Sequence, residues 1–252
     1  MISAVVLTKN EEKNIAACLR SLAWCDEIIV VDDYSTDGTI REIEGLGSKR
    51  IVGFQHNLNA DFAQARNFGL EKAKHEWVLF IDADERVTSS LQFEIVSSIN
   101  SSIENCSGYY IKRTDVLWGK ELHFGEAGNT ALLRLAKRDV GRWKGSVHEV
   151  WEFKGKTRTL KNVLEHYPHQ SVSEFLSEIN FYTDLRAAEL FQKRKRATLL
   201  SIALYPIGKF LQNYFFKQGY RDGNPGLIVS LIMSFHSFLV RGKLWSLWQK
   251  NN

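Results

Sequence analysis

Short apolar runs alternate with amphipathic segments through the first part of the chain. Residues 2–7, 27–31, 50–54 and 77–81 are apolar or β-branched and predict four strands. Between them, 13–22 places Ile15, Cys18, Leu19 and Leu22 on one helical face. A second helix is expected from about Thr39, with Ser35, Thr36 and Asp37 available as caps, and a third over 62–74. Strands separated by helices of this length imply parallel βαβ units covered on both faces. From 109 to 151 the pattern changes to aromatics and glycines, which predicts mixed strands and loops, with 132–136 as one strand. Beyond residue 171 the chain reads as helical. Residues 173–196 carry the stripe Phe175, Ile179, Tyr182, Leu185 and Leu190; Pro206 interrupts 197–216; residues 223–226 (GNPG) read as a break before a helix at 227–240. The expected fold is α/β, a mostly parallel sheet flanked by helices with a C-terminal helical extension. Domains are expected at 1–170 and 171–252.

Ligands of such sheets bind outside the carboxyl ends of the strands. Those ends carry polar and acidic residues: Thr8-Lys9-Asn10-Glu11 after the first strand, Asp32-Asp33 after the second, and Asp82-Ala83-Asp84-Glu85 after the fourth. In Asp82-Ala83-Asp84 the two carboxylates share one side of the strand. Hard oxygen donors of this kind suit Mg²⁺ or Mn²⁺, which can neutralise a leaving diphosphate. The bland alternative makes Asp84 a helix cap near Val87. Asp32 either accepts from a base or ribose or serves a turn with Ser35. Arg66 stands early in a helix, where it opposes the dipole; a diphosphate partner explains it, and so does plain surface exposure.

Composition narrows the classes. In 252 residues, 44% hydrophobic and 25% charged residues describe a globular chain with a sizeable core. Cys18, Cys25 and Cys106 show no metal-binding spacing and cannot all pair, which fits a reducing compartment. MISAVVLTKNEE has neither a basic leader nor a long apolar stretch, so no signal peptide is expected. The net charge of +4 is uneven: from Arg186 onward eleven Lys and Arg face two acids. A basic tail on an acidic body points to an anionic partner. Neither C-terminal apolar segment reaches the length of a comfortable membrane span. Apolar faces, basic flanks and Trp at the margin favour helices lying in a membrane interface over a plain helical cap.

VVLTKNEEKNI, EIIVVDDYSTDGT, FAQARNFGLEKA and EWVLFIDADE, in this order over roughly the first 90 residues, resemble the family-2 glycosyltransferases of GT-A fold. WKGSVHE at 143–149 and GYRDGNPG at 219–226 resemble a subgroup that includes lipopolysaccharide-core glucosyltransferases. The resemblance implies a nucleotide-sugar donor, a divalent cation (Mg²⁺ or Mn²⁺) and inversion at the anomeric carbon. By position it implies that Thr8, Asn10 and Glu11 line the nucleoside pocket and that Asp32 contacts uracil or ribose. Asp82 lies near ribose and metal, Asp84 binds the metal, and Arg66 faces the diphosphate. Inversion needs a general base for the acceptor hydroxyl. Glu149 is the preferred match and Glu126, in HFGEAGN, the second. His148 is a further metal ligand, a residue that orients the diphosphate, or a hydrogen-bonded core histidine; His123, His166 and His169 show no metal-ligand spacing. Trp118, Phe124, Trp143 and Trp151 offer stacking faces for a sugar acceptor, or simply belong to cores.

The expectation is a metal-dependent inverting hexosyltransferase moving glucose from UDP-glucose to a lipopolysaccharide core acceptor. It would sit peripherally on the cytoplasmic face of the inner membrane, against an anionic surface. Another membrane-linked glycan or a peptide is the alternative acceptor. A nucleotidyltransferase lacks its glycine-rich loop here. A nucleic-acid module would rest on the Lys193–Arg196 run alone, and no nucleic-acid partner is expected.

Overall fold

The computed structural model describes residues 1–58, 61–101, 106–126, 130–145, 149–169 and 171–250. The strands are β1 (Ile2–Thr8), β2 (Glu27–Asp32), β3 (Ile51–Gln55), β4 (Trp77–Asp82), β5 (Glu85–Val87), β6 (Gly108–Leu117), β7 (Lys120–Leu122), β8 (Thr130–Lys137), β9 (Gly141–Lys144), β10 (Val150–Phe153) and β11 (Thr157–His166). The helices are α1 (Ile15–Ser21), α2 (Thr39–Gly45), α3 (Phe62–Lys72), α4 (Ser89–Asn100), α5 (Val172–Gln192), α6 (Leu199–Leu211) and α7 (Gly223–Lys250).

The chain divides into two compact units. One comprises Met1–Arg113 and Thr130–His166, the other Thr114–Asn129 and Tyr167–Asn252. The second unit thus takes a segment from the middle of the chain as well as the C-terminal helices.

The main sheet runs β3-β2-β1-β4-β8-β6-β11-β5, with β7 beside β6. β1, β2, β3 and β4 are parallel. β8 then joins β4 antiparallel, and β11 joins β5 antiparallel. β1, β2 and β4 are buried along nearly their whole length, so they read as continuous apolar runs. α1 covers one face with Ile15, Cys18 and Leu19. α3 covers the other, and Gly69 is what lets it approach: a Cβ there would stand 2.3 Å from Val5 Cγ1. α4 and β5, which are not among the predicted elements, follow directly after Asp82-Ala83-Asp84. Cys18, Cys25 and Cys106 are buried and none is disulfide-bonded.

The second unit packs α5 and α7 around Phe175, Ile179, Val229 and Ile232, with Leu117 and Leu122. Two sequence expectations change here. The inward face of α5 is Phe175, Ile179, Thr183 and Ala187, while Tyr182 and Leu185 are exposed. Spacing of four selects the inward face, and apolar character alone chose the wrong partners. GNPG is no break: α7 starts at Gly223 and runs 28 residues. Pro225 falls in the first turn, where a missing N–H breaks no intrahelical bond. The helical run Gly219–Lys250 is long and apolar enough to cross a membrane by length and composition, with a third of its apolar window buried. α7 also supplies core residues, Val229, Ile232, Val240 and Leu244.

GYRDGNPG ties this unit together. Asp222 accepts from the backbone N–H of Phe124 (2.9 Å), and its carbonyl accepts from Lys120 Nζ (2.7 Å). A Cβ on Gly226 would stand 2.0 Å from the Gly219 carbonyl oxygen. Of the Lys193–Arg196 run, Lys193 pairs with Glu189 and Arg196 lies 4.7 Å from the Trp248 ring centre. Two of its four cations therefore serve the local fold.

Candidate active site

Sheet register brings three sequence-distant residues side by side. Thr8 pairs with Asp32, and Leu7 with Asp82. The carboxyl ends of β1, β2 and β4 thus form one polar edge, as parallel order requires. Thr8 is buried, and among the described residues its Oγ1 has no hydrogen-bond partner.

The loop after β1 is locked to the loop after β2. Asn10, at φ 55°, accepts from Thr36 N through Oδ1 (2.8 Å), and its own N–H donates to Ser35 Oγ (2.8 Å). Glu11 Oε2 accepts from Asn14 Nδ2 (2.9 Å). Asp32 accepts from the backbone N–H of Ser35 (3.0 Å) and from its hydroxyl, so the turn role is real. Asp33 holds Lys9 Nζ at 2.6 Å and the Leu58 N–H at 3.0 Å. Burial would raise the Asp33 pKa, but these two bonds outweigh it and hold the carboxyl below its usual range.

The densest charge network centres on Asp82. Arg66 Nη2 donates to Oδ1 at 2.9 Å and Arg134 Nη2 to Oδ2 at 2.6 Å. Burial works to raise the Asp82 pKa; the two guanidinium groups overwhelm it and hold the carboxylate ionised far below its ordinary range. Arg134 also donates to Glu85 Oε1 at 2.8 Å, and Glu85 Oε2 accepts the Asp82 N–H at 2.9 Å. Glu85 is fully buried. Burial, with Asp82 and Asp84 as neighbours, raises its pKa against the pull of Arg134.

Arg66 differs from expectation. Its guanidinium is almost wholly buried, with Nε on Glu149 Oε1 (2.9 Å) and Nη2 on Asp82, and it lies 4.9 Å from the Trp143 ring centre. Two carboxylates bond it, and among the described residues its buried Nη1 has no hydrogen-bond partner. Its neighbour Asn67 clamps the Trp143 backbone, accepting from N and donating to O, each at 2.9 Å. The structure thus joins Glu149 to Asp82 through one arginine. Glu126 belongs to the other unit, where Lys209 and Asn213 hold its carboxylate at 2.7 Å each.

Asp84 caps nothing: Thr88 is the cap of α4, accepting from Leu91 N. Asp84 Oδ2 instead meets His166 Nε2 at 3.0 Å. Antiparallel pairing of β11 with β5 sets His166 opposite Glu85. That pairing brings His166, whose sequence spacing pointed to no partner, beside Asp84. His148 lies outside the described residues. Among the described residues no cluster of three His, Cys, Asp or Glu side chains has metal-holding geometry. Asp84 and His166 provide a carboxylate and an imidazole, a donor pair that fits a divalent cation completing its shell from water and phosphate. Asp82 is bonded by two arginines, one on each carboxylate oxygen.

Two residues of the network escaped the sequence reading. Arg134 and His166 come from strands far along the chain, and only sheet register delivers them. The signal for Arg134 was a cation inside the apolar run LLRLA. Trp143 and Trp151 are buried, stacked 5.3 Å apart and edge-on to Phe80, so they are core and not acceptor platforms. Phe124 lies under Arg221 at 4.3 Å.

Comparison with known proteins bears on the fold and the family. Over its full length the fold is similar to S. aureus TarS (residues 1–349), with a TM-score of 0.50 at 15% identity, covering 100% of this chain and 92% of that one. The chain is 29% identical to an uncharacterized glycosyltransferase of Rickettsia typhi, covering 99% of this chain and 88% of the relative. It is 27% identical to the lipopolysaccharide core biosynthesis glycosyltransferase LpsC of Rhizobium meliloti, over 97% and 92% of the two chains. The model of the glycosyl transferase family 2 matches residues 3–142, which hold Thr8, Asp32, Arg66, Asp82, Asp84 and Arg134. With the strand-edge site inside that match and a GT-A sheet beneath it, the chain belongs to glycosyl transferase family 2.

Proposed function

We propose that this glycosyltransferase moves a hexose, with glucose favoured, from a UDP-sugar to a lipopolysaccharide core acceptor, inverting the anomeric carbon. The observation that carries the reading is the shared edge of Thr8, Asp32 and Asp82, with Asp84 bonded to His166 and Asp82 joined through Arg66 to Glu149. Similarity to LpsC supports the acceptor class.

In this reading Thr8, Asn10, Glu11 and Asp32 bind the nucleoside. Asp84 and His166 would hold a divalent cation, Mg²⁺ or Mn²⁺, which would neutralise the charge of the leaving diphosphate. Asp82 and its two arginines keep the Asp84 turn in place. The acceptor oxygen attacks the anomeric carbon while its bond to the diphosphate breaks, and the bonding pair leaves with UDP. Glu149 takes the acceptor's proton, oriented by Arg66 Nε. The enzyme works at the cytoplasmic face of the inner membrane, with its second unit against the anionic surface. The exposed apolar residues of α6, Leu199, Leu200, Leu204 and Ile207, support that placement.

The test is UDP release from a panel of UDP-sugars, with and without truncated lipopolysaccharide core, in Mn²⁺, Mg²⁺ or EDTA. Acceptor-dependent release from one sugar, lost in EDTA, is expected. No release from any sugar by folded protein overturns the reading.

A further inference from the structure

The second unit contains a cavity that sugar transfer does not use. It has a volume of about 680 Å³ and is bounded by α5, α6 and α7. Arg186, Lys209 and Arg241 bring positive charge to it, Leu190, Leu204 and Val240 give it apolar walls, and among the described residues no acidic side chain lines it.

Two of the three cations are already answered. Arg186 bonds Glu189, and Lys209 bonds Glu126. Arg241 is different. Its guanidinium carbon lies 3.6 Å from the Tyr205 ring centre, and Nη1 donates to the carbonyl and hydroxyl of Ser237, each at 3.0 Å. It enters no ion pair among the described residues. Burial pulls its pKa below the ordinary arginine value. A partly buried cation without a counter-ion is costly, and an arriving anion recovers that cost. A guanidinium presents a planar fork of donors suited to phosphate oxygens, and a stacked ring holds that plane in place.

The neighbouring surface narrows the class of anion. α6 buries none of its residues, and its apolar side chains stand exposed beside the cavity. Free phosphate would satisfy Arg241 but leave the apolar walls and α6 bare. An anionic amphiphile satisfies both.

We propose that this cavity seats the head group of an anionic glycerophospholipid, its phosphate on Arg241 and its acyl chain along Leu204 and Val240. The inference rests on the membrane-surface part of the proposed function and is independent of the sugar-transfer part.

The experiment floats the full chain with phosphatidylcholine vesicles, with and without phosphatidylglycerol. Wild type is expected to bind the vesicles containing phosphatidylglycerol. Arg241→Gln should weaken that binding about tenfold or more, as loss of a charge-assisted bond does. Arg194→Gln removes a cation away from the cavity and should cost at most about fivefold, the effect of one diffuse surface charge. Equal losses from the two variants, or no vesicle binding by wild type, would overturn the proposal. Native mass spectrometry of wild type covers the case in which Arg241→Gln fails to fold. One short-chain phosphatidylglycerol retained per chain, with glycerol 1-phosphate lost, supports a lipid site. Equal retention of glycerol 1-phosphate, or a dimer that excludes the lipid, contradicts it. No arm reads transferase activity, so failure here leaves the sugar-transfer reading standing.

Discussion

Arg134 holds together two carboxylates that would otherwise repel. Asp82 and Glu85 lie three residues apart, both against a single guanidinium at 2.6 and 2.8 Å. The arrangement fixes the turn between β4 and β5, which presents Asp84. Removing one partner of a buried ion pair typically costs about 3–5 kcal/mol, because the remaining charge stays buried. Arg134→Lys keeps the charge but loses the planar fork. The expected result is a folded enzyme whose kcat falls about tenfold or more while the donor KM changes less, because the turn loses its position and the nucleoside loops do not. Steady-state kinetics read the split, and unchanged kcat would remove Arg134 from the positioning role. Arg66 works the same way between Asp82 and Glu149. Neither arginine's part was legible from its own neighbours in the chain: a cation among leucines signals a buried partner, but only the pairing of β8 with β4 identifies it.

Among elements, α3 shows how closely the site depends on packing. Its face toward β1 is set by Gly69, and the same helix supplies Arg66 and Asn67. Gly69→Ala would drive a Cβ to within 2.3 Å of Val5 Cγ1 and 3.4 Å of Val31. Overpacking of this kind costs about 1–3 kcal/mol, to be read as a lowered denaturation midpoint. Val5→Ala in that background should restore part of the loss, and no restoration would contradict the contact. The alternation of strands and helices up to β4 was plain in the sequence, because buried parallel strands are continuous apolar runs. β5 is three residues long, too short for a periodic signal, whereas α4 places Leu91, Ile95 and Ile99 four residues apart on its core face, a helical spacing that went unread. α7 was cut short for a physical reason: glycine and proline mark breaks in general, yet the first turn of a helix tolerates both.

For the whole molecule, the positive charge gathers in the chain from Arg186 onward. The basic excess of the C-terminal part is real, but much of it is committed. Lys243 bonds Asp184 and the Asn180 carbonyl, Arg196 stacks on Trp248, and Arg221 stacks on Phe124. Lys209 is committed to Glu126. Burial tends to raise the Glu126 pKa, but the bonds from Lys209 and Asn213 prevail and lower it. A lowered carboxyl pKa gives stability that is present above the ordinary glutamate range and lost as pH falls through the folded value. The melting difference between wild type and Glu126→Gln should therefore be present at neutral pH and vanish in acid. A difference independent of pH would show that the ion pair is not its source. Charge counting on the sequence found the tail's sign; it had no means of telling which cations find a counter-ion in the fold, as Lys209 and Lys243 do.

The central claim is that one strand-edge site in the first unit performs the transfer, with Glu149 as its base. Its most direct test is acceptor-dependent UDP release by Glu149→Gln beside wild type, each shown to be folded. Loss of general-base catalysis predicts a fall in kcat of about 10²–10⁴-fold with the donor KM little changed. Release at the wild-type rate would contradict the assignment of Glu149 and with it the mechanism built on this edge.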